Sequence, residues 1–155
     1  MNLSPHFTLA EACASNKARE KGLDNRPTDP RIIERLRYTA LTILEPVRAH
    51  FGNRPIIYNG FLSWYRTPAV NVAAGGVPTS QHMSGEAVDI EIAGISNLDI
   101  AHFIRDKLEF DQLILEFYNG IDPSSGWVHA SAVADRVPRG ETWTFTNGKK
   151  KLGLA

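Results

Sequence analysis

Two hydrophobic periods run along this chain, and the switch between them divides it into a helical first third and a strand-rich remainder. Ile33, Leu36, Ala40, Ile43, Leu44, Val47 and Phe51 recur at helical spacing. That predicts one long helix with a core-facing stripe. Asp29 is placed to cap it, Pro30 to start it and Gly52 to stop it. Pro46 falls inside the stripe, where the missing N–H and the ring break one backbone bond and kink the helix. Upstream, Thr8-Leu9-Ala10-Glu11 has the spacing of a capping box and predicts a short helix ending before Gly22.

Period two takes over near Pro55-Ile56-Ile57-Tyr58-Asn59. In Ala87-Val88-Asp89-Ile90-Glu91-Ile92, the alternation sends Val88, Ile90 and Ile92 to the core and Asp89 to the opposite face. Phe110 to Glu116 reads as a strand with Leu113 and Leu115 on one face and Gln112, Ile114 and Glu116 on the other. Trp127 to Ser131 is a short strand in which His129 faces away from Val128. Trp143 to Thr146 has strand character, and Asn147-Gly148 is a hairpin turn that returns the chain through Lys149 to Leu152. Two capped helices interrupt the strands. Thr67-Pro68 opens one that ends at Gly75-Gly76. Ser96 to Asp99 opens another, carrying Ile100, Phe103, Ile104 and Leu108. Helices first, then mostly antiparallel strands, predict an α+β fold.

Composition narrows the function. A chain of 155 residues, 43% of them apolar, is the size of one domain with a real core. Lys plus Arg equals Asp plus Glu at 17 each, so no nucleic-acid footprint appears. Lys149-Lys150-Lys151 reads as a solvated tail. Cys13 is the single cysteine, which excludes an intrachain disulfide and suggests a packing role. The N-terminus lacks the pattern of a secretory signal peptide, and no apolar run approaches the length of a membrane span. The expectation is a monomer folded in the cytoplasm, without membrane insertion and without a separate binding domain.

The chemistry concentrates in Ser80-Gln81-His82-Met83-Ser84-Gly85-Glu86-Ala87-Val88-Asp89, with His129 much later. Gly85 permits a sharp turn between His82 and Asp89. Either histidine alone reads as an ordinary loop or sheet residue. Together, two imidazoles and a carboxylate form a mixed nitrogen and oxygen set that suits Zn2+. Three protein ligands with an open fourth position are the pattern of a catalytic zinc rather than a structural one.

The sequence Ser-x-His-x-x-Gly-x-Ala-x-Asp, followed by Trp-x-His, resembles the signature of the M15 zinc metallopeptidases. The start of the chain (Leu3 to Glu11) and Tyr65-Arg66-Thr67-Pro68-Ala69-Val70-Asn71 resemble the phage and prophage branch. The likeness extends from near residue 3 to about residue 132. It implies a Hedgehog/DD-peptidase-like fold over 1–155, with the metal motif at 80–89 and the second ligand element at 126–131. It also implies one zinc held by His82, Asp89 and His129, and peptidoglycan as substrate. Family members cut D-Ala-D-Ala termini, D,D-crosslinks or the L-Ala-D-Glu bond. A lysin of this kind waits in the host cytoplasm and needs a separate membrane-permeabilising protein for release.

Residue roles follow from the same likeness. Glu116 is the expected general base. Arg66 is expected to hold a substrate carboxylate through its planar guanidinium, with Tyr65 in the same cleft and Ser80 bonding a ligand or the substrate. Some relatives carry a glutamate three residues before the final histidine; here that position is Gly126. Glu86 is not assigned as the base and is expected to face solvent. His102 is expected at the surface or in packing, not as a ligand. The Asn59 to Pro68 stretch departs from the family's Ser-Gly-Tyr-Arg-Ser-Pro-like pattern, and the 117–126 loop is longer than in similar proteins. Two alternatives stay open: a virion-associated wall peptidase acting at infection, and a non-catalytic zinc-binding interaction module.

Overall fold

The structure, a computed structural model, describes residues 1–57 and 63–155. Helices α1 (Leu9–Cys13) and α2 (Asn16–Lys21) replace the single helix expected before Gly22. Thr8 and Glu11 form the reciprocal capping box. A second cap at Ser15, whose hydroxyl accepts from Ala18 N–H, restarts the chain as α2.

The long amphipathic stretch is continuous but not uniformly α-helical. Helix α3 (Pro30–Thr39) passes into a π-helical turn (Ala40–Leu44) and then helix α4 (Glu45–His50). The cause is Pro46, which cannot donate to residue 42 and whose ring crowds that carbonyl. Widening the turn, so that Glu45 N–H donates to Ala40 C=O, makes room. The stripe survives, and Leu36, Ala40, Ile43, Leu44 and Val47 are all fully buried.

Of the strand expected over 55–59, Ile56–Ile57 forms β1; the remainder lies outside the described residues. Helix α5 (Pro68–Ala73) is capped by Thr67, as the sequence predicts. Then come β2 (Ala87–Ile92), α6 (Asn97–Lys107), β3 (Gln112–Glu116), β4 (Trp127–Ser131), β5 (Glu141–Thr146) and β6 (Lys149–Leu152). The strands make one six-stranded sheet in the order β1-β2-β4-β3-β5-β6. Every pairing is antiparallel except β3 with β5. The C-terminal hairpin thus extends the central sheet rather than forming a loose tail, and β6 is its edge.

One sheet face carries Val88, Ile90, Leu113, Leu115, Val128 and Ala130, all fully buried. They share a core with α3, the π turn, α4 and α6. The opposite face is set by register. Asp89 pairs with His129, His129 with Ile114, and Ile114 with Trp143, so one row of side chains crosses four strands. Glu116 and Trp127, directly paired, lie one step along the same face. No helix among the described residues is long and apolar enough to cross a membrane.

Candidate active site

The metal motif is a turn-rich loop locked on three sides. Gly85 has φ +78°, and a Cβ there would stand 2.9 Å from the Ile32 carbonyl and 3.1 Å from Leu36 Cγ. Only glycine fits so close to α3 in that conformation. Thr39, fully buried, donates its hydroxyl to the Gly85 carbonyl at 3.0 Å. On the far side, the Ser63–Arg66 segment runs along the motif. Asp89 N–H donates to Ser63 C=O at 2.7 Å, and Arg66 N–H to His82 C=O at 3.1 Å. Asn25 holds that segment in turn, donating to the Tyr65 carbonyl and accepting from Thr67 N–H. At the third side, Gln81 donates to Asp111, a carboxylate gripped by Arg139 at 2.7 Å.

His82, Asp89 and His129 converge on one point, each offering a ligand atom within 4.8 Å of the others. His82 Nδ1 lies 2.7 Å from the Trp64 carbonyl. A carbonyl only accepts, so this nitrogen carries the proton and Nε2 presents its lone pair. Fixing the tautomer from behind in this way is how proteins orient a metal-ligating imidazole. Nε2 stands 3.3 Å from Asp89 Oδ2, and His129 Nδ1 stands 2.9 Å from Asp89 Oδ1. Donors held ~2.0–2.1 Å from a tetrahedral ion lie about 3.3–3.4 Å apart, close to the two contacts that Asp89 makes, so the donor set suits zinc. Burial alone would raise the pKa of Asp89. The neighbouring imidazoles of His82 and His129 outweigh it and hold the carboxyl well below its usual range.

The cluster opens into a cleft of about 850 Å³ that Arg66, Ser80 and Glu116 also line. Burial raises the pKa of Glu116; the nearby Asp89 charge adds to that, while His129 and Lys150 oppose it. Arg66 donates to Ser63 Oγ at 3.0 Å, with Asn71 Oδ1 at 3.4 Å and Asp89 Oδ2 at 3.7 Å. Ser80 Oγ accepts from His82 N–H at 3.3 Å, shaping the loop while facing the cleft. The role of Gly126 becomes physical here. With φ +68°, a Cβ at this position would fall 1.7 Å from the Glu116 carbonyl. No side chain can occupy it, and among the described residues Glu116 is the carboxylate that lines the cleft from the cluster's own sheet face without being a ligand candidate.

Two expectations need correcting. Tyr65 does not line the cleft; it is 3% exposed and packed in the core, because the backbone bond from its N–H to Ala12 C=O turns the residue inward. Glu86 does not face solvent. It is 4% exposed, with Arg136 donating to both carboxylate oxygens and Ser84 to one. It ties the motif to the chain after β4 and is spent structurally. His102 lies away from the cluster, with Nε2 3.0 Å from the Ala155 carbonyl. Burial pushes the Cys13 thiol up to about 11, so it is no nucleophile at neutral pH.

Sequence reasoning missed Thr39, the Trp64 carbonyl, the Gln81–Asp111–Arg139 chain and Lys150, which also lines the cleft. Gln81 sits inside the metal motif but acts through Asp111, 30 residues on; the others sit in no motif.

A largely buried His/Asp/His set at the floor of a cleft, with a carboxyl on the same sheet face, is the kind of site in which metal-dependent hydrolases hold their ion. Its particular kind comes from comparison with known families. The model for peptidase M15 matches residues 5–131, so the chain belongs to the M15 family of metallopeptidases. No curated protein sequence matches it.

Proposed function

We propose that this protein is a zinc-dependent peptidase that cleaves a peptide bond in the stem peptide or crosslink of peptidoglycan, acting as a phage or prophage endolysin. The observation that carries this reading is the His82/Asp89/His129 cluster sharing a cleft with Glu116. When bound to these three ligands, zinc supplies a water of near-neutral pKa and a Lewis acid for the scissile carbonyl. Glu116 accepts the proton of the attacking water and returns it to the departing amine. Its raised pKa makes the carboxylate a stronger base for taking up the water's proton. Arg66 holds a substrate carboxylate, and Ser80 offers a hydroxyl to the bound peptide. The protein waits in the host cytoplasm as a monomer and reaches the wall once a separate protein has permeabilised the membrane.

The test is mass spectrometry of purified peptidoglycan incubated with the protein, with and without a chelator, beside a Glu116→Gln variant. New fragments that disappear with chelator and with the variant support the reading, and their masses name the bond. A zinc-loaded protein that releases nothing from walls of several peptide chemistries overturns it in favour of a non-catalytic metal-binding module.

A further inference from the structure

The matched family region stops at residue 131, yet the chain beyond it builds part of the cleft. Strand β5 joins β3 in parallel register, Gln112 to Glu141 through Leu115 to Thr144, and β6 folds back on β5. Trp143 therefore stands in the same row as Ile114 and His129. Phe145 and its partner Lys150 stand on the same face, while Lys149 and Lys151 alternate to the other. Asn147 at φ +50° and Gly148 at φ +75° make the tight turn that sets this register.

The cations lining the cleft are not equivalent. Lys17 is paired with Glu20, and Arg139 with Asp111 and Glu141. Arg66 leans toward Asp89. Lys150 has no carboxylate within ion-pair distance among the described residues; its ammonium sits 4.5 Å above the centre of the Trp143 ring. That ring is itself held. Its indole N–H donates to Glu141, Glu141 pairs with Arg139, and Arg139 with buried Asp111. A chain of contacts thus runs from the base of the metal loop to a charge poised over the cleft.

We propose that Lys150 is a specificity-determining residue that binds a second substrate carboxylate, on the side of the metal cluster opposite Arg66. This rests on the peptidase reading above. Arg66 borders β2 through Asp89, whereas the seat of Lys150 is on β5, and β4 and β3 lie between. Strands stand about 4.8 Å apart, so Trp143 is roughly 10 Å across the sheet from the His129 strand. An extended peptide covers that in about three residues at ~3.3–3.6 Å each. The preferred substrate is therefore an acidic peptide with carboxylates on both sides of the scissile bond. The exposed Phe117, tilted against Trp127 at 4.9 Å and edge-on to Phe145 at 4.9 Å, gives the intervening residues an apolar wall.

The experiment compares steady-state cleavage of muropeptides bearing free carboxylates with the same muropeptides amidated at those groups. The proteins are wild type, Lys150→Met, Lys150→Arg and the opposite-face control Lys151→Met. The expected result for Lys150→Met is a KM about two- to fivefold higher on the free-carboxylate substrate, restored by Lys150→Arg. On the amidated substrate the difference vanishes, and Lys151→Met matches wild type throughout. If wild type cleaves and Lys150→Met is indistinguishable from it, the inference falls and the peptidase reading stands. The inference also falls if Lys151→Met loses as much as Lys150→Met, since general attraction to an anionic polymer then explains the effect. Wild type cleaving no muropeptide overturns both.

Discussion

Glu116 and Gly85 show how single residues divide the work of chemistry and architecture. Glu116 is a carboxylate in a desolvated place, and its pKa is raised. The folded state therefore holds that proton more tightly than the unfolded chain. Below the unfolded pKa the group carries no penalty; as pH rises through the folded pKa, ionisation in the cleft opposes folding. Glu116→Gln should accordingly raise the melting temperature of the metal-free protein at neutral pH while lowering kcat by about 10²–10⁴-fold. Calorimetry and wall-digestion assays on the same sample check both signs. Gly85 carries no chemistry but admits the loop. Gly85→Ala should cost about 1–3 kcal/mol for the left-handed backbone alone, with more from the contact against Ile32. It should also weaken zinc binding, because His82 and Asp89 flank the displaced turn; a zinc titration of the purified variant measures that.

At the scale of elements, the loop between β3 and β4 is fastened rather than loose. Asn97, 2% exposed at the start of α6, donates to the carbonyls of Ser124 at 3.0 Å and Gly126 at 2.9 Å and to Glu91 at 3.1 Å. Leu98 N–H adds a bond to Pro123 C=O. Asn97→Ala leaves those carbonyls without their donor, at a cost of about 1–3 kcal/mol. Faster amide hydrogen exchange in 117–126 and a reduced kcat/KM are expected, since Gly126 packs directly on the Glu116 backbone. The π-helical turn belongs to this scale as well. The periodicity announced the stripe and Pro46 announced a defect, but the form of the defect depended on keeping Ile43, Leu44 and Val47 in the core on either side of it.

Across the whole molecule, buried carboxylates paired with half-exposed arginines join regions distant in sequence around the site. Asp111, 1% exposed, accepts from Arg139 and Gln81, and these bonds, Arg139 foremost, lower its pKa to about 2. A depressed carboxylate contributes stability that is present above its unfolded pKa and is lost as pH falls through the folded one. Acid unfolding should therefore include a component between about pH 4 and pH 2 that Asp111→Asn removes, measured by circular dichroism at stepped pH. The same variant should be less stable at neutral pH and should loosen both the metal loop and the C-terminal hairpin, because Asp111 holds the two together. Glu86 with Arg136 makes a parallel tie on the other side of the motif.

The sequence by itself carried most of the elements and the His82/Asp89/His129 cluster. Capping residues at Thr8, Asp29, Thr67 and Ser96, the helical stripe and the alternation in β2 to β4 are local signals, and local backbone physics reads them. His82, Asp89 and His129 were legible because their spacing, a glycine turn and a strand alternation point them to one face. Tertiary structure decided what depends on partners far along the chain. It turned Tyr65 into the core and drew Glu86 under Arg136. It set β5 parallel to β3, carrying Lys150 over the cleft. These outcomes follow from strand order and from the cost of leaving a buried charge or amide unpaired, and neither is written in a neighbouring residue.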